Sequence, residues 1–288
     1  MKELDFINII KNQIGESLLG DDCAYLKEFG IVITQDNFVE DVHFKKAWAT
    51  PFQIGYKAAA VNISDILASG GKPEYLTIGL SVTNDINETY IKELYRGIVA
   101  GSYGAKIAGG DITGGDKIFI SITAVGSTKG RKISSRANTK PGYIVITSGE
   151  YGKSSKGLKE LMSGNTESEN IIAHLEPKLN PKFSEQISTK IQKDYAMMDT
   201  SDGLADALFK LAQAGNCTIK AKSIDGMFGA EDYNLVAAVP KDFLQEIDEY
   251  EIIGEVTDYT GYYLETESKK FSKYDELGLY DHFTEENS

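Results

Sequence analysis

The residues best equipped for chemistry in this chain are aspartates. Asp21, Asp36, Asp111, Asp199 and Asp202 each stand where a strand or helix is expected to begin or end, and Asp65 sits inside an otherwise apolar helix. Carboxylates that converge repel one another, so some of them must be protonated or neutralised. Hard divalent cations with oxygen ligands are the natural neutraliser. Magnesium keeps several waters and commonly binds through one or two carboxylates plus substrate phosphates, so the set points to ATP chemistry. Zinc is disfavoured, because three histidines and two distant cysteines supply no ligand cluster. Each acid alone also reads as a solvated turn residue or a cap; together they need a shared partner.

The elements that must position them can be read in turn. In residues 20–44, Ile31, Val32 and Ile33 form a β-branched run that predicts a buried strand. The chain leaves it through Thr34 and Gln35, which places Asp36 at the strand's carboxyl end, the edge where ligands bind in α/β sheets. Asp22, Glu40 and Asp41 read as solvated turn residues. Thr50-Pro51-Phe52-Gln53 is a capping box with proline at the first helical position. The helix it opens runs to about Ser69, where Gly70-Gly71 ends it. Asn62, Ser64 and Asp65 interrupt its apolar pattern. Aspartate has poor propensity inside a helix, so Asp65 requires a partner, and a cation would serve.

A strand over 75–82, a helix over 88–103 and a short strand over 106–108 follow. The segment GGDITGGDKIFISITAVG puts Asp111 and Asp116 in a turn before a strand over 118–125. Near residue 130 the composition becomes basic and polar, and a new strand starts at Tyr143, which sets a lobe boundary between 1–135 and 136–288. SGEYGKSSKG resembles a phosphate-binding P-loop but has Thr147 where that loop requires glycine, so it reads as a glycine-containing turn opening a helix over 155–162. Residues 165–193, with Pro177 and Pro181, read as connecting structure, and 241–250 as an exposed acidic helix. In YAMMDTSDGLADALFKLAQAG, Asp199, Ser201 and Asp202 crowd a helix amino terminus. There they serve either as a cap or to hold cations that bridge to phosphates.

A chain of 288 residues suggests two lobes. A formal charge of −13 argues against a sequence-independent grip on nucleic acid or on an anionic membrane. No apolar run approaches the ~18 residues of a membrane span. Cys23 and Cys217 are far apart in a sequence without a secretory leader, so both are expected to be reduced in a soluble, cytoplasmic protein.

The series GDDCAYL, TQDNFVEDVHF, KAAAVNISDILASGGKPEYL, GGDITGG, SRANTKPG, MMDTSDGL, GAEDYNL and YDHF resembles the thiamine-monophosphate kinase family, in order and across nearly the whole sequence. That family belongs with aminoimidazole-ribotide synthetase and selenophosphate synthetase. The resemblance implies an α/β (α+β) fold of two lobes, each a mixed sheet with packed helices, and a homodimer paired through the amino-terminal lobe. It implies ATP as co-substrate, Mg2+, and thiamine monophosphate as the acceptor. Matched residue by residue, it makes Asp21, Thr34, Asp36, Asp65, Asp111, Asp199 and Asp202 magnesium ligands, with Gln35 contributing through its amide or backbone oxygen. Tyr103, Gly110, Asp111, Arg136 and Ser201 fall at ATP-contact positions, and His43, Glu231 and Tyr280 where thiamine monophosphate is held. Asp36, Asp65, Asp111, Arg136 and Asp202 would carry catalysis. Gln35 departs from the usual small hydroxyl residue, Asp41 and Ala230 replace glycines, and GGDITGGD lacks an arginine often seen after this motif. A ring-closing synthetase of the same fold and a non-enzymatic cation-binding protein are the competing readings; MMDTSDGL argues against the first.

Overall fold

The computed structural model describes residues 3–15 and 18–280. Its first half comprises α1 (Glu3–Ile14), β1 (Ala24–Leu26), β2 (Ile31–Val39), α2 (Pro51–Ala68), β3 (Lys72–Val82), α3 (Glu88–Gly101), β4 (Lys106–Gly114) and β5 (Phe119–Ser127). The five strands form one sheet in the order β1-β2-β5-β3-β4. β5 pairs antiparallel with both β2 and β3, whereas β4 joins β3 in parallel after the α3 crossover. Alternation on β5 buries Ile120, Ile122 and Ala124 under α2, whose own Ile54, Ala58, Ile63 and Ile66 close the layer.

The second half comprises β6 (Tyr143–Thr147), α4 (Lys153–Met162), α5 (Glu169–Leu175), α6 (Pro181–Lys190), β7 (Ala196–Asp199), α7 (Leu204–Ala214), β8 (Thr218–Ala221), β9 (Leu235–Pro240), β10 (Glu251–Thr257), β11 (Leu264–Glu265) and β12 (Lys270–Phe271). They build a mixed sheet ordered β12-β11-β8-β10-β6-β9-β7. β7 and β9 are buried along their whole length, as continuous apolar runs require. A single apolar cluster contains Val32, Ile63 and Ile122 from the first half and Ile146, Met197 and Val239 from the second. The expected α/β class with two mixed sheets is therefore what the chain adopts.

Several local expectations are corrected. β2 does not stop at Ile33 but runs to Val39, so Asp36 lies within the strand rather than at its carboxyl end. β5 pairs with all of it, whereas β1 reaches only Ile33; beyond that point the other edge of β2 faces α2, and Asn62 Oδ1 accepts from the Asp36 N–H at 2.9 Å. The strand at 106–108 extends to Gly114, which moves Asp111 from a turn onto the sheet's edge. The glycines disguise it because they serve a bulge: the register with β3 shifts between Leu76 and Thr77, and a Cβ on Gly110 would lie 1.9 Å from the Ile78 carbonyl oxygen. Residues 165–193 are not connecting structure. Pro181 opens α6 behind an Asn180 N-cap, and Ser168 caps α5. The acidic stretch after Pro240 forms a 3-10 turn, Lys241–Glu246, instead of an α-helix.

α2 begins as the sequence predicts, with both halves of the Thr50–Gln53 capping box formed. It crosses α3 at glycines: a Cβ on Gly97 would lie 1.9 Å from the Phe52 carbonyl oxygen, and one on Gly55 2.0 Å from that of Leu94. Backbone cannot retreat as a side chain can. Gly97→Ala should therefore lower stability by ~2 kcal/mol or more, through overpacking. The shift of the urea midpoint measures it.

Candidate active site

Three acids from distant parts of the chain meet where α2, the end of β7 and the segment ahead of β1 come together. Carboxylate oxygens of Asp22, ahead of β1, Asp65 on α2 and Asp199 at the end of β7 lie within 4.8 Å of one another. The polar residues that break the apolar pattern of α2 are now explained. Ser64 donates to Asp199 Oδ2 at 2.6 Å, Asn62 holds the Asp36 backbone, and Asp65 Oδ2 accepts from Thr34 Oγ1 at 2.6 Å. The last turns of α2 thus tie both halves of the cluster together.

Burial and mutual repulsion keep these groups from ionising easily. Asp65 is pushed well above the usual carboxylate range by burial and then by Asp36, Asp199 and Asp22. Asp199, only 2% exposed, is raised to about 7 by burial, with Asp22 adding to it. Asp36 rises to about 6 through burial and the neighbouring Asp202. For Asp22 burial again raises the pKa, opposed by the Arg136 guanidinium at 3.0 Å. Arg136 also donates its backbone N–H to Asp21 Oδ1 at 2.7 Å, so one residue holds both members of the Asp21-Asp22 pair. Its Nε is buried without a hydrogen-bond partner among the described residues. Ser201 donates to Asp199 Oδ1 from both its hydroxyl and its backbone N–H, and Asp202, with its side chain 58% exposed, pairs with Lys210 at 3.1 Å.

The cluster opens onto a cavity of about 490 Å³ that reaches away from it between α2 and the second half of the chain. His43, Glu231 and Tyr280 all line it. His43 Nδ1 accepts the Val39 N–H at 3.0 Å, which leaves the proton of a neutral ring on Nε2. Glu231 is ionised: burial opposes this, but Lys57 at 3.1 Å and His174 draw its pKa down. The P-loop-like turn is filled from within. Asp232 accepts from the backbone of Gly152 and Ser154 at 2.7 and 3.1 Å, so the amino terminus of α4 already holds a carboxylate.

Residues 20–128 match the family model described as AIR synthase related protein, N-terminal domain. The thiamine-monophosphate kinase of Bacillus subtilis is 36% identical over 70% of this chain and 66% of its own length. That of Prochlorococcus marinus is 33% identical over 83% of this chain and 82% of its own. The chain belongs to the thiamine-monophosphate kinase family. The solved structure of AaThiL complexed with AMPPCP and TMP is similar over 98% of this chain and 97% of its own, at 28% identity and a TM-score of 0.85.

Set against the family pattern, the structure draws some positions together and holds others apart. Asp21, Thr34, Asp36, Asp65, Arg136, Asp199, Ser201 and Asp202 gather around the cluster. Gln35 alternates to the opposite face of β2, where Ser121 and Thr123 occupy its amide, which leaves only its backbone oxygen for a metal. Gly110 and Asp111 lie on edge strand β4, separated from β2 by β5 and β3, roughly 14 Å across the sheet at ~4.8 Å per strand. The Tyr103 hydroxyl bonds to Tyr56 and accepts from the Leu179 N–H. Asp41 has φ +66, which accounts for a preference for glycine there. Of the terminal YDHF, Tyr280 is described and residues 281–283 lie outside the described residues.

Sequence reasoning in this thiamine-monophosphate kinase family member missed Asp22, Lys57, His174 and Lys210. Asp22 had a signal, two adjacent acids in GDD, but adjacent turn acids are usually solvated. Lys57, 2% exposed, gave none, since a lysine among the apolar positions of a helix ordinarily extends to solvent.

Raised carboxylate pKa values fix the sign of a pH effect. Asp36 and Asp199 titrate at about 6 and about 7 when folded, against 3.8 ordinarily. Over that window the folded state binds more protons than the unfolded chain, so stability falls as pH rises. Metal-free protein should melt higher at pH 5 than at pH 8, and added magnesium should raise Tm more at pH 8. Asp199→Asn should shrink both differences in thermal denaturation with and without chelator.

Proposed function

We propose that this protein transfers the γ-phosphoryl group of ATP to the phosphate of thiamine monophosphate, giving thiamine diphosphate and ADP in thiamine diphosphate biosynthesis. The observation that carries this reading is the carboxylate cluster at one end of a cavity lined by His43, Glu231 and Tyr280, in a member of this family. The same reading makes residues 1–135 the ATP, magnesium and dimerisation lobe and 136–288 the lobe that completes the site.

The residues fit magnesium. All three donors in the cluster are carboxylate oxygens, two of them on acids with raised pKa values and no cation beside them in the hydrogen-bonding network. Asp21, Asp22, Asp36, Asp65, Asp199 and Asp202 would hold it, with Thr34 orienting Asp65. When bound, magnesium neutralises phosphate charge and aligns the donor and acceptor groups.

The remaining work falls to the chain. A phosphate monoester loses its second proton at a pKa of ~6, so the attacking oxygen is already ionised near neutrality and no general base is needed. His43 agrees, since its tautomer offers a donor and not a base. Arg136 is held by Asp22 with its Nε unsatisfied, which suits it to charge developing on a transferring phosphoryl group. Tyr280 is 60% exposed at the cavity mouth, where its face can receive the cationic thiazolium.

Gly110 and Asp111 are remote from the cluster of their own chain. All nine residues of β4 are exposed, and Ile107, Ile112 and the neighbouring Tyr75 present apolar area on or beside this edge. A homodimer that covers β4 with a second copy would bring these residues to a nucleotide. A cytoplasmic location fits Cys23 and Cys217, which are both free and buried. No helix among the described residues is long and apolar enough to cross a membrane.

ADP formation with thiamine monophosphate, with formylglycinamidine ribotide and with neither tests the reaction. Only the first should give turnover, and absence of thiamine diphosphate would remove the central claim. Asp65→Asn, Asp202→Asn and Asp22→Asn should each cost ~100-fold or more in kcat while leaving the fold intact by circular dichroism. Near-normal rates in saturating magnesium would defeat the assignment. Sedimentation should show a dimer for the wild type and a monomer for Ile112→Asp.

A further inference from the structure

We infer that Lys210 is a positioning residue: fixed by Asp206 and Tyr274, it holds Asp202 beside Asp36 so that both carboxylates face one cation; this rests on the magnesium-dependent phosphoryl transfer proposed above. Asp202, Asp206 and Lys210 are spaced four residues apart, so they follow one stripe along α7 and its entry. Side chains on a helix lean towards its amino terminus, which lets Lys210 reach back over both acids. Its Nζ lies 2.9 Å from Asp206 Oδ2 and 3.1 Å from Asp202 Oδ2.

The two acids differ in what holds them. The Asp206 side chain is 3% exposed, and a carboxylate buried so deeply is costly without a counter-charge. Lys210 supplies the charge, and the Tyr274 hydroxyl donates to Asp206 Oδ1 at 2.6 Å. The Tyr274 ring lies 5.7 Å from the ammonium, centroid to Nζ, and meets Phe209 edge-on at 5.9 Å. Tyr274 opens the 3-10 turn Tyr274–Leu277, and Leu277 anchors that turn in the core of the second half of the chain. Lys210 is therefore fixed by a buried acid on its own helix and by a packed ring from the carboxyl-terminal turn.

Asp202 has no comparable support. Its side chain is 58% exposed, and it is not used as a cap, since Gly203 directly precedes α7 and no side chain caps that helix. Among the described residues, Lys210 is the group that holds its carboxylate. Asp202 and Asp36 line the same cavity and repel each other, so an unrestrained Asp202 would turn out into water. An ion pair with one partner this exposed adds little to folding. Its effect is to fix a rotamer: the carboxylate is kept where a cation shared with Asp36 meets it already ordered.

The test titrates magnesium into the metal-free, full-length protein by calorimetry and follows the magnesium dependence of thiamine diphosphate formation. Lys210→Met alone would strand the Asp206 charge, so the informative variant combines Lys210→Met with Asp206→Asn, which removes the buried pair together and leaves an acceptor for Tyr274. It should bind magnesium ~10–100-fold more weakly and need correspondingly more for half-maximal rate, with Tm and the KM for thiamine monophosphate little changed. Lys210→Arg should recover most of the affinity. In an Asp202→Asn background the paired substitution should add less than about 2-fold, because its effect passes through Asp202. Unchanged or tighter magnesium binding by the folded double variant, as a lysine that merely competes with the cation would give, overturns the inference. So do losses that multiply with that of Asp202→Asn. A wild type that makes no thiamine diphosphate would instead overturn the functional reading, while the calorimetric comparison would still decide the role of Lys210.

Discussion

Three buried carboxylates held within a few ångströms cannot all carry charge, and much of this structure follows from that conflict. Asp22, Asp65 and Asp199 are each raised in pKa by burial, and only Asp22 has a guanidinium beside it. The hydroxyls of Thr34, Ser64 and Ser201 satisfy lone pairs on Asp65 and Asp199 but supply no charge. A site arranged this way is poised for a cation, because the repulsion that disfavours the metal-free form is what a divalent ion relieves. In the proposed reaction, charge neutralisation and folding stability would therefore be coupled through the same atoms.

α2 is the element that converts this local conflict into a working site. Its capped amino end and glycine crossing with α3 fix its position, its apolar residues bury it under the first sheet, and its polar residues reach β2 and β7. Asn62 holds β2, Ser64 holds β7, and Asp65 joins the cluster. Gln53, Lys57, Val61 and Asp65 all line the cavity from this one helix, which fixes their spacing better than loops would.

The sequence was most informative where local chemistry and structure coincide. The Thr50–Gln53 capping box, the Gly70-Gly71 stop and the odd polar residues of α2 were all visible as pattern, and each has its counterpart in the fold. What stayed hidden depends on partners far along the chain. Asp22 looks like any turn acid until Arg136, more than a hundred residues later, places a guanidinium against it. β4 looked like a short strand and a turn because its glycines serve a bulge against Ile78 instead of breaking the chain. α5 and α6 were obscured by prolines read as breakers, although Pro181 sits at the one helical position that favours it. Lys57 was hidden by its setting, since a lysine among helix apolar residues usually extends to solvent, whereas this one meets Glu231 in the cavity wall.

The apolar cluster shared by both sheets bears on how ligands enter. Lobes joined by a small polar contact can swing apart about a hinge, but here Val32 and Ile122 belong to the same packed interior as Met197 and Val239. Opening such an interior would expose core side chains to water. The lining residues that reach solvent instead include Asp41, Val42, Lys45 and Tyr280, so the cavity is approached past these and not by parting the two halves. Phe38, Ile54 and Leu175 belong to that same interior and also line the cavity, so the wall that meets a ligand is as close-packed as the core.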